Sequence, residues 1–324
     1  MLRDSLVIDF AAANAALTQA SNVASPVDMK DLIARYDSGI RDRIVQIIAR
    51  FASATAGNRP AYVYDVKSIK TLPPIMYPTT MLNVAVNYKE HGEEMMVRDL
   101  GVSTALGGAA VAGTAPEGTK SAPGIWERNA ADKRWNPYMF IKLPAAVIAE
   151  GETIRVPPGR TQIDWECELG VVIGRRADHV PIAQAHDYIF GYTLENDVSD
   201  RGGRGDKRSG SDWLIGKSHD TFAPMGPFIV PKEFVPDPQK LTMKFMLNGT
   251  LMQEASTSLM IHTVSEQVSY ASNIVTLRTG DVIATGTPAG VGSARTPPIY
   301  LKPGDVSACT YEGIGTLTNP VAAK

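Results

Sequence analysis

The stretch that decides the fold is Asp164-Trp165-Glu166-Cys167-Glu168-Leu169-Gly170-Val171-Val172-Ile173-Gly174. Its apolar and β-branched residues, closed by a glycine and two arginines, predict a β-strand followed by a turn. Side chains two residues apart on a strand share a face, so Glu166 and Glu168 point the same way. Two carboxylates this close on a mostly buried strand repel each other unless a cation lies between them.

A third carboxylate lies in the next apolar run, Phe190 to Ser199, which ends in Asn196-Asp197, where Asp197 is placed to meet the pair. Three carboxylates with no histidine nearby suit a hard divalent ion, Mg²⁺ or Mn²⁺ with Ca²⁺ also open, and argue against zinc. The alternative is that the two glutamates form a solvated strand face without a metal, which is the commoner meaning of this spacing by itself.

Four ordered blocks of the sequence stand out together. They are Asp164 to Glu168, Gly191-Tyr192-Thr193 with Asn196 to Ser199, Lys217 with Asp220 to Pro227, and Gly280 to Gly292. Together they resemble the fumarylacetoacetate hydrolase family over about residues 80 to 321, whereas residues 1 to 75 match only loosely. The resemblance implies an α+β, β-rich fold built as a mixed β-sheet roll, a metal held by Glu166, Glu168 and Asp197, and commonly a homodimer.

The composition is that of an ordinary globular protein. The chain has 324 residues, 44% of them hydrophobic, which is enough for one large core or two domains. A net charge of -2 gives no indication of a nucleic-acid or membrane partner. No stretch reaches transmembrane length, and the first twenty residues lack the pattern of a signal peptide. The two cysteines, Cys167 and Cys309, are expected to be buried reduced thiols, which fits a cytoplasmic location.

The order of patterns predicts two domains. Apolar stripes predict one helix from Asp28 to Gly39 and a second from Ile40 to Phe51, and both read as packing surface. After them, short strands with Gly and Pro turns dominate and indicate a β-rich roll or barrel. We therefore expect a small N-terminal helical and strand domain over residues 1–75 and a catalytic domain over residues 76–324.

A candidate catalytic pair follows the predicted strand Met81 to Tyr88. His91 and Glu94, three residues apart, share a face of one helical turn. A neutral imidazole held by a carboxylate is the usual apparatus for taking a proton from water. The resemblance implies that this segment is a mobile lid and that the pair activates water. By itself, the pattern is more often a surface ion pair.

Residues 101–125 are rich in Gly, Ala, Thr and Ser and show no sustained period. They predict a long loop, and the whole segment 101–135 is expected to be a lid or insertion. An extension of the lid over the substrate and a plain surface insertion are equally compatible with this composition.

Further candidate site residues lie downstream. The resemblance implies that Lys217 is the active-site lysine, which would stabilise a developing enolate. Arg201 and Arg204 are candidates for binding an acid group, although Asp200 and the surrounding glycines depart from the family pattern. The turn at Gly286-Thr287 follows a strand and can offer backbone N–H groups and a hydroxyl to a carboxylate.

The sequence leads to a functional expectation with open alternatives. It is a metal-dependent hydrolase that cleaves a C–C bond in a small β-diketo or acylpyruvate-type acid, with water activated by His91 and Glu94 and enolate charge stabilised by the ion. A 2-oxo acid decarboxylase, a keto–enol isomerase on the same site and a catalytically silent binding protein are the alternatives.

Overall fold

The computed structural model describes residues 2–3, 5–17, 23–51, 57–98, 122–127, 129, 131–203 and 212–324. The chain divides into two compact units, Met1–Thr71 and Leu72–Lys324; the sequence analysis placed this division after residue 75. Within the described ranges, no helix combines the length and the apolar character that crossing a membrane requires. Part of the Gly/Ala-rich loop (residues 101–121) and Arg204 lie outside the described residues.

The described residues contain six α-helices and seventeen β-strands. The helices are α1 (Phe10–Ala16), α2 (Met29–Ala34), α3 (Ile40–Arg50), α4 (Lys89–Arg98), α5 (Trp213–Lys217) and α6 (Val264–Ser272). The strands are β1 (Leu2–Arg3), β2 (Leu6–Ile8), β3 (Val63–Asp65), β4 (Met81–Ala85), β5 (Tyr138–Ile141), β6 (Val147–Ile148), β7 (Ile154–Val156), β8 (Ile163–Asp164), β9 (Cys167–Ile173), β10 (Ile189–Asn196), β11 (Ser199–Asp200), β12 (Ala223–Pro231), β13 (Thr242–Leu247), β14 (Thr250–Ser256), β15 (Val282–Ala284), β16 (Val306–Tyr311) and β17 (Gly315–Ala323).

The N-terminal unit pairs a small antiparallel sheet, in the order β1-β2-β3, with helices. Both predicted helices form, although the first is shorter than expected. Asp28 caps α2, whose last residue is Ala34, and a short 3₁₀ turn continues to Ser38. Gly39, at φ 108°, then turns the chain into α3. Ile40 and Ile47 of α3 are fully buried, as the apolar stripe predicts.

The larger unit is built on a seven-stranded sheet in the order β5-β4-β15-β9-β10-β12-β6. It is mixed, because β15 pairs parallel to β4 and antiparallel to β9. Every residue of β9 and β10 is buried, so these central strands are covered on both faces. The α+β, β-rich architecture expected from the sequence is confirmed.

A five-stranded sheet, β14-β13-β16-β17-β7, lies against the apolar face of the seven-stranded sheet. Trp165 stacks on Phe245 of β13 with the rings 5.3 Å apart and nearly parallel. Leu169 of β9, on the same side as Trp165, belongs to the same core. This core fixes the register of β9, because a slip of one residue would turn its carboxylates into the apolar side.

The expectation of two reduced thiols is wrong. Cys167 and Cys309 form a disulfide with their Cα atoms 5.5 Å apart, and no cysteine is free. Cys167 lies on the apolar face of β9 and Cys309 on the facing strand β16, so the bond joins the two sheets directly behind Glu166 and Glu168. The two residues are 142 positions apart in sequence, and no local pattern shows that they meet. The inference to a reducing compartment loses the support that it drew from free thiols.

Cys309→Ala is expected to lower the free energy of unfolding by about 2–4 kcal/mol, because the bond closes a long loop in the unfolded chain. Urea denaturation of the wild type and of Cys309→Ala measures the difference in the free energy of unfolding. This difference should shrink when the wild type is reduced with a dithiol. Two titratable thiols in the denatured, unreduced wild type would contradict the assignment.

Candidate functional site

One face of the seven-stranded sheet is polar and carries the predicted metal ligands. Glu168 in β9 lies directly opposite Glu195 in β10, and Asp197 follows Glu195 by two residues on the same side. Glu166 immediately precedes β9, and its carbonyl accepts a hydrogen bond of 2.8 Å from the Asp197 backbone N–H. The pairing of β9 with β10 therefore brings the three predicted ligands together.

The three carboxylates converge in the interior. Glu166, Glu168 and Asp197 each offer one oxygen such that these atoms lie within 4.8 Å of one another, and all three residues are buried. The solvated strand face considered as the alternative is thus wrong for this pair of glutamates. Burial of three like charges is strongly unfavourable without compensating cations.

Lys217 supplies one of those cations. It is the last residue of α5, which Asp212 caps by accepting a hydrogen bond from the Ile215 N–H. The Lys217 ammonium lies 2.6 Å from both Glu166 Oε2 and Asp197 Oδ2. Its nitrogen is also 5.0 Å from the centre of the Phe140 ring. The predicted active-site lysine therefore touches two of the three predicted metal ligands.

Arg201 binds the carboxylate oxygen of Glu166 that Lys217 does not contact. Its Nε donates to Asp164 Oδ2 at 3.0 Å and its Nη2 donates to Glu166 Oε1. Asp164 also accepts from the backbone N–H groups of Gly292 and Ser293, at 2.7 and 3.1 Å, which fixes its position. The guanidinium predicted to bind substrate is thus committed to two carboxylates, one of them a predicted ligand.

A second buried lysine was missed in the sequence. Lys142, which follows β5, has no exposed surface; its ammonium donates to Asp197 Oδ1 and, at 3.1 Å, to the Val198 carbonyl. No sequence pattern quoted above singles this lysine out. The available signal was a lysine ending an apolar strand, since a fully buried lysine must be paired.

Neighbouring charges shift the pKa values of two predicted metal ligands in opposite directions. Burial by itself would raise the pKa of Glu166, but the charges of Lys217, Arg201 and His91 hold that pKa well below its ordinary range. Burial and the like charges of Asp197, Glu195 and Glu166 raise the pKa of Glu168 well above its ordinary range. A divalent ion would relieve this repulsion, and an all-oxygen donor set suits Mg²⁺ or Mn²⁺, so the residues present fit the implied metal.

Glu195 is a fourth buried carboxyl on this face, not singled out by the sequence analysis. Asn83 of β4 donates to its Oε2 at 2.9 Å. The row of the sheet through Asn83 carries the small residues Ala284 and Gly170 on the two intervening strands and reaches β10 at Thr193, two residues from Glu195. Its other oxygen has no hydrogen-bond partner among the described residues. Burial raises the pKa of Glu195 to about 8, partly offset by the charge of Lys142.

This raised pKa predicts that the metal-free protein loses stability as pH rises. An unfolded glutamate has a pKa near 4.5, so between about 4.5 and about 8 the folded state holds a proton that the unfolded state releases. The contribution is complete below pH 4.5 and lost as pH passes 8. In Glu195→Gln, the free energy of unfolding should therefore fall less steeply with pH than in the wild type, by about a few kcal/mol over this range. Denaturation in the presence of chelator between pH 5 and pH 9 measures the difference. Parallel pH profiles for the two proteins would contradict this.

The predicted pair forms in α4, the helix for which the resemblance implies the role of a lid, and that role stays a prediction. His91 and Glu94 lie in α4, and His91 Nδ1 is 2.8 Å from Glu94 Oε1. Glu94 Oε2 accepts a hydrogen bond of 2.8 Å from the Gly290 N–H, which fastens the lid to the glycine-rich turn. Gly290 has φ 104°, and a Cβ there would lie 2.3 Å from the Met252 carbonyl oxygen, so glycine is required. His91 is buried, so the pair faces the interior and is not a surface ion pair.

The turn at Gly286 and Thr287 supports the ligands in this structure. The Gly286 N–H donates to Glu168 Oε2 at 2.8 Å. The Thr287 hydroxyl donates to the Cys167 carbonyl at 3.1 Å and accepts from Gln253 Nε2 at 2.9 Å. Both residues thus hold β9 and its glutamate in place, and their contact with substrate stays a prediction.

Comparison with known proteins agrees with this geometry. Residues 80–322 match the family model described as "Fumarylacetoacetate (FAA) hydrolase C-terminal". The chain is 30% identical over 291 residues to the rat protein "Oxaloacetate tautomerase Fahd2a, mitochondrial", covering 88% of this chain and 82% of that protein. It is 40% identical over 185 residues to the Xenopus laevis "Oxaloacetate tautomerase fahd2, mitochondrial", a match that spans 57% of this chain and 58% of the relative.

A solved structure supports the same assignment. The 5-carboxymethyl-2-hydroxymuconate delta-isomerase from Mycobacterium smegmatis is 35% identical, with a TM-score of 0.61, over 83% of this chain and 88% of that one. The family model covers most of the chain, and the metal triad and the lid pair both lie within the matched residues. The chain therefore belongs to the fumarylacetoacetate hydrolase family.

Proposed function

We propose that this chain is a divalent-metal-dependent keto–enol tautomerase of a small 2-oxo dicarboxylic acid of the oxaloacetate type. The observation that carries the proposal is that a histidine oriented by a carboxylate lies near enough to Glu166 for its charge to lower that carboxyl's pKa, and that Glu166 belongs to a buried acidic triad paired with Arg201 and two buried lysines. The rat relative, named for oxaloacetate tautomerisation, aligns with most of the chain and supports this substrate class.

The triad Glu166, Glu168 and Asp197 would hold the ion. When bound, a divalent ion supplies Lewis-acid stabilisation of negative charge on a 2-oxo oxygen. Lys217, next to the triad, adds a fixed positive charge where that negative charge develops, and such preorganised charge is usually a large catalytic contribution. Arg201 and Lys142 keep two of the ligands in place and raise the positive charge that a dianionic substrate meets.

His91 moves the proton. In the neutral imidazole, Nδ1–H donates to Glu94 and Nε2 is free of a proton and able to act as a base. In the direction from keto to enol, Nε2 takes a proton from C3, the C–H electron pair becomes the C2–C3 double bond, and the π pair of the C2 carbonyl moves onto its oxygen. The imidazolium then returns the proton to the C2 oxygen, so no atom is gained or lost. Burial under the lid keeps bulk water from competing for this proton.

C–C hydrolysis, the expectation from the sequence, is the second candidate. The observation in its favour is the same His91–Glu94 pair, which is also suited to taking a proton from an attacking water. The two reactions differ in whether water adds to the carbonyl, and the triad serves both equally.

The test is a direct assay of the purified protein with Mn²⁺ or Mg²⁺. Enol oxaloacetate, followed by its ultraviolet absorbance, should convert to the keto form far faster than in buffer, and chelator should remove the acceleration. An acylpyruvate in the same assay reports C–C hydrolysis. A rate equal to that of buffer with metal present would overturn the tautomerase proposal, and turnover of the acylpyruvate alone would establish the second candidate.

A further inference from the structure

The base of the lid is fixed to the corner at the start of α6, residues Ile261 to Glu266. Asn87 lies two residues before the lid helix α4, and its side chain donates to the carbonyls of His262 and Thr285 at 3.0 and 2.8 Å. The same side chain accepts from the His262 N–H at 2.8 Å, and the Asn87 carbonyl accepts from the Ile261 N–H at 2.8 Å. Four hydrogen bonds of Asn87 therefore hold the chain in place where it enters the lid, and three of them go to this corner.

The residue before this anchor has an unfavourable backbone conformation. Val86 has φ 55°, a left-handed conformation that is uncommon and unfavourable for a β-branched residue. Such a conformation persists only where the surrounding contacts impose it. The bonds of Asn87 to His262 and Ile261 are those contacts, so the direction in which the chain enters the lid depends on the corner.

The chain returning from the lid region toward β5 is fastened to the same corner. Arg134 Nη1 donates to the Ile261 carbonyl at 2.8 Å, and Nη2 lies 2.7 Å from Glu266 Oε1 and 2.8 Å from Asp132 Oδ2. Trp126 covers His262 edge-on, with ring centres 5.7 Å apart. The Arg134 guanidinium therefore bridges the Ile261 carbonyl, Glu266 and Asp132, at the corner that binds Asn87.

Glu266 also belongs to the capping box that begins α6. It accepts from the Thr263 N–H at 2.8 Å and receives Arg134 on its other oxygen. Burial, followed by the charge of Arg134, lowers the pKa of His262 to about 4, so this histidine is neutral and serves as packing. No group of the corner touches the metal triad, so its effect on the reaction must pass through the lid.

We propose that Arg134 is a positioning residue for His91. Its guanidinium holds the corner at the start of α6 in place, and the hydrogen bonds of Asn87 to that corner fix where the lid begins. Without the guanidinium, the Ile261 carbonyl and Glu266 lose a shared partner, and the corner loosens around Asn87. Displacement of a proton-transfer group by a fraction of an ångström is enough to lower the rate. The proposal rests on the proposed function in one respect, namely that His91 transfers the proton.

The test is a double-mutant cycle with Arg134→Met and His91→Ala. Arg134→Met should lower kcat about tenfold and leave the Kd for Mn²⁺ within twofold of wild type. In the His91→Ala background, the same substitution should have no further effect on kcat. Arg134→Lys, which keeps the charge but not the planar fork, should recover part of the loss. Equal, additive losses in both backgrounds would show a merely structural role and overturn the proposal.

Hydrogen exchange provides a readout that is independent of the reaction. The amides of residues 88–95 should exchange at least tenfold faster in Arg134→Met, whereas those of β9 should stay protected. If Arg134→Met does not fold, Glu266→Gln is used instead. The glutamine side-chain oxygen can still accept the hydrogen bond of the capping box, whereas the ion pair with Arg134 is lost. Unchanged exchange of the lid in either variant overturns the proposal. If the wild type lacks tautomerase activity, only the proposed function fails, and the exchange result still decides the role of Arg134.

Discussion

Glu168→Ala is expected to abolish stoichiometric binding of Mn²⁺ or Mg²⁺ and to lower kcat/KM by about 10³-fold or more, about 4 kcal/mol in the transition state. The side chain is one of three converging carboxylates, and its pKa is raised by burial and by the like charges around it. That repulsion is the energy that a cation recovers on binding. Removal of this ligand leaves two carboxylates, both already paired with Lys217.

Titration calorimetry with Mn²⁺ measures this prediction, alongside activity with saturating metal. Glu254→Ala is the matched control, because Glu254 of β14 is a half-exposed glutamate paired with Lys244 of β13, so this variant should bind metal and react as the wild type does. Metal binding by Glu168→Ala with wild-type stoichiometry and affinity would contradict the assignment of the triad.

His91→Ala is expected to lower kcat by about 10²- to 10⁴-fold, the range typical of general acid–base catalysis, and to leave metal affinity unchanged. The imidazole is buried and oriented by Glu94, which in turn accepts a hydrogen bond from the Gly290 N–H. Because no described triad oxygen is bonded to His91, the ion should bind as before.

Steady-state kinetics and calorimetry on the same preparation separate these two effects. His179→Ala is the control, since His179 is an exposed histidine paired with Asp178 and should change neither quantity. If His91 only stabilises the lid, His91→Ala would lower the melting temperature and leave kcat within a few-fold of wild type.

The acidic triad could be predicted because it depends on short-range periodicity. The two-residue period of an extended chain places Glu166, just before β9, on the same side as Glu168, and Asp197 directly follows the adjacent strand β10, so sheet pairing brings it close. The His91–Glu94 pair likewise depends only on spacing along one helix. The buried disposition of these residues agrees with the strand and helix patterns read from the sequence.

The remaining parts of the site depend on long-range register. Lys142 follows β5, which three strands separate from β10 in the sheet order, yet it contacts Asp197 in the folded chain, and Asn83 reaches Glu195 across two intervening strands. Sequence spacing carries no information on such neighbours. The Cys167–Cys309 disulfide was missed for the same reason, because two strands of different sheets meet only in the folded chain.

The most direct measurement of the central claim is proton exchange at C3 of oxaloacetate in D₂O, followed by NMR with purified protein and Mg²⁺. The proposed chemistry predicts that deuterium enters C3 much faster than in buffer, with no accelerated release of CO₂ and no C–C cleavage, and that Glu168→Ala and His91→Ala lose this exchange. Exchange no faster than in buffer, or CO₂ release that keeps pace with it, would contradict a tautomerase.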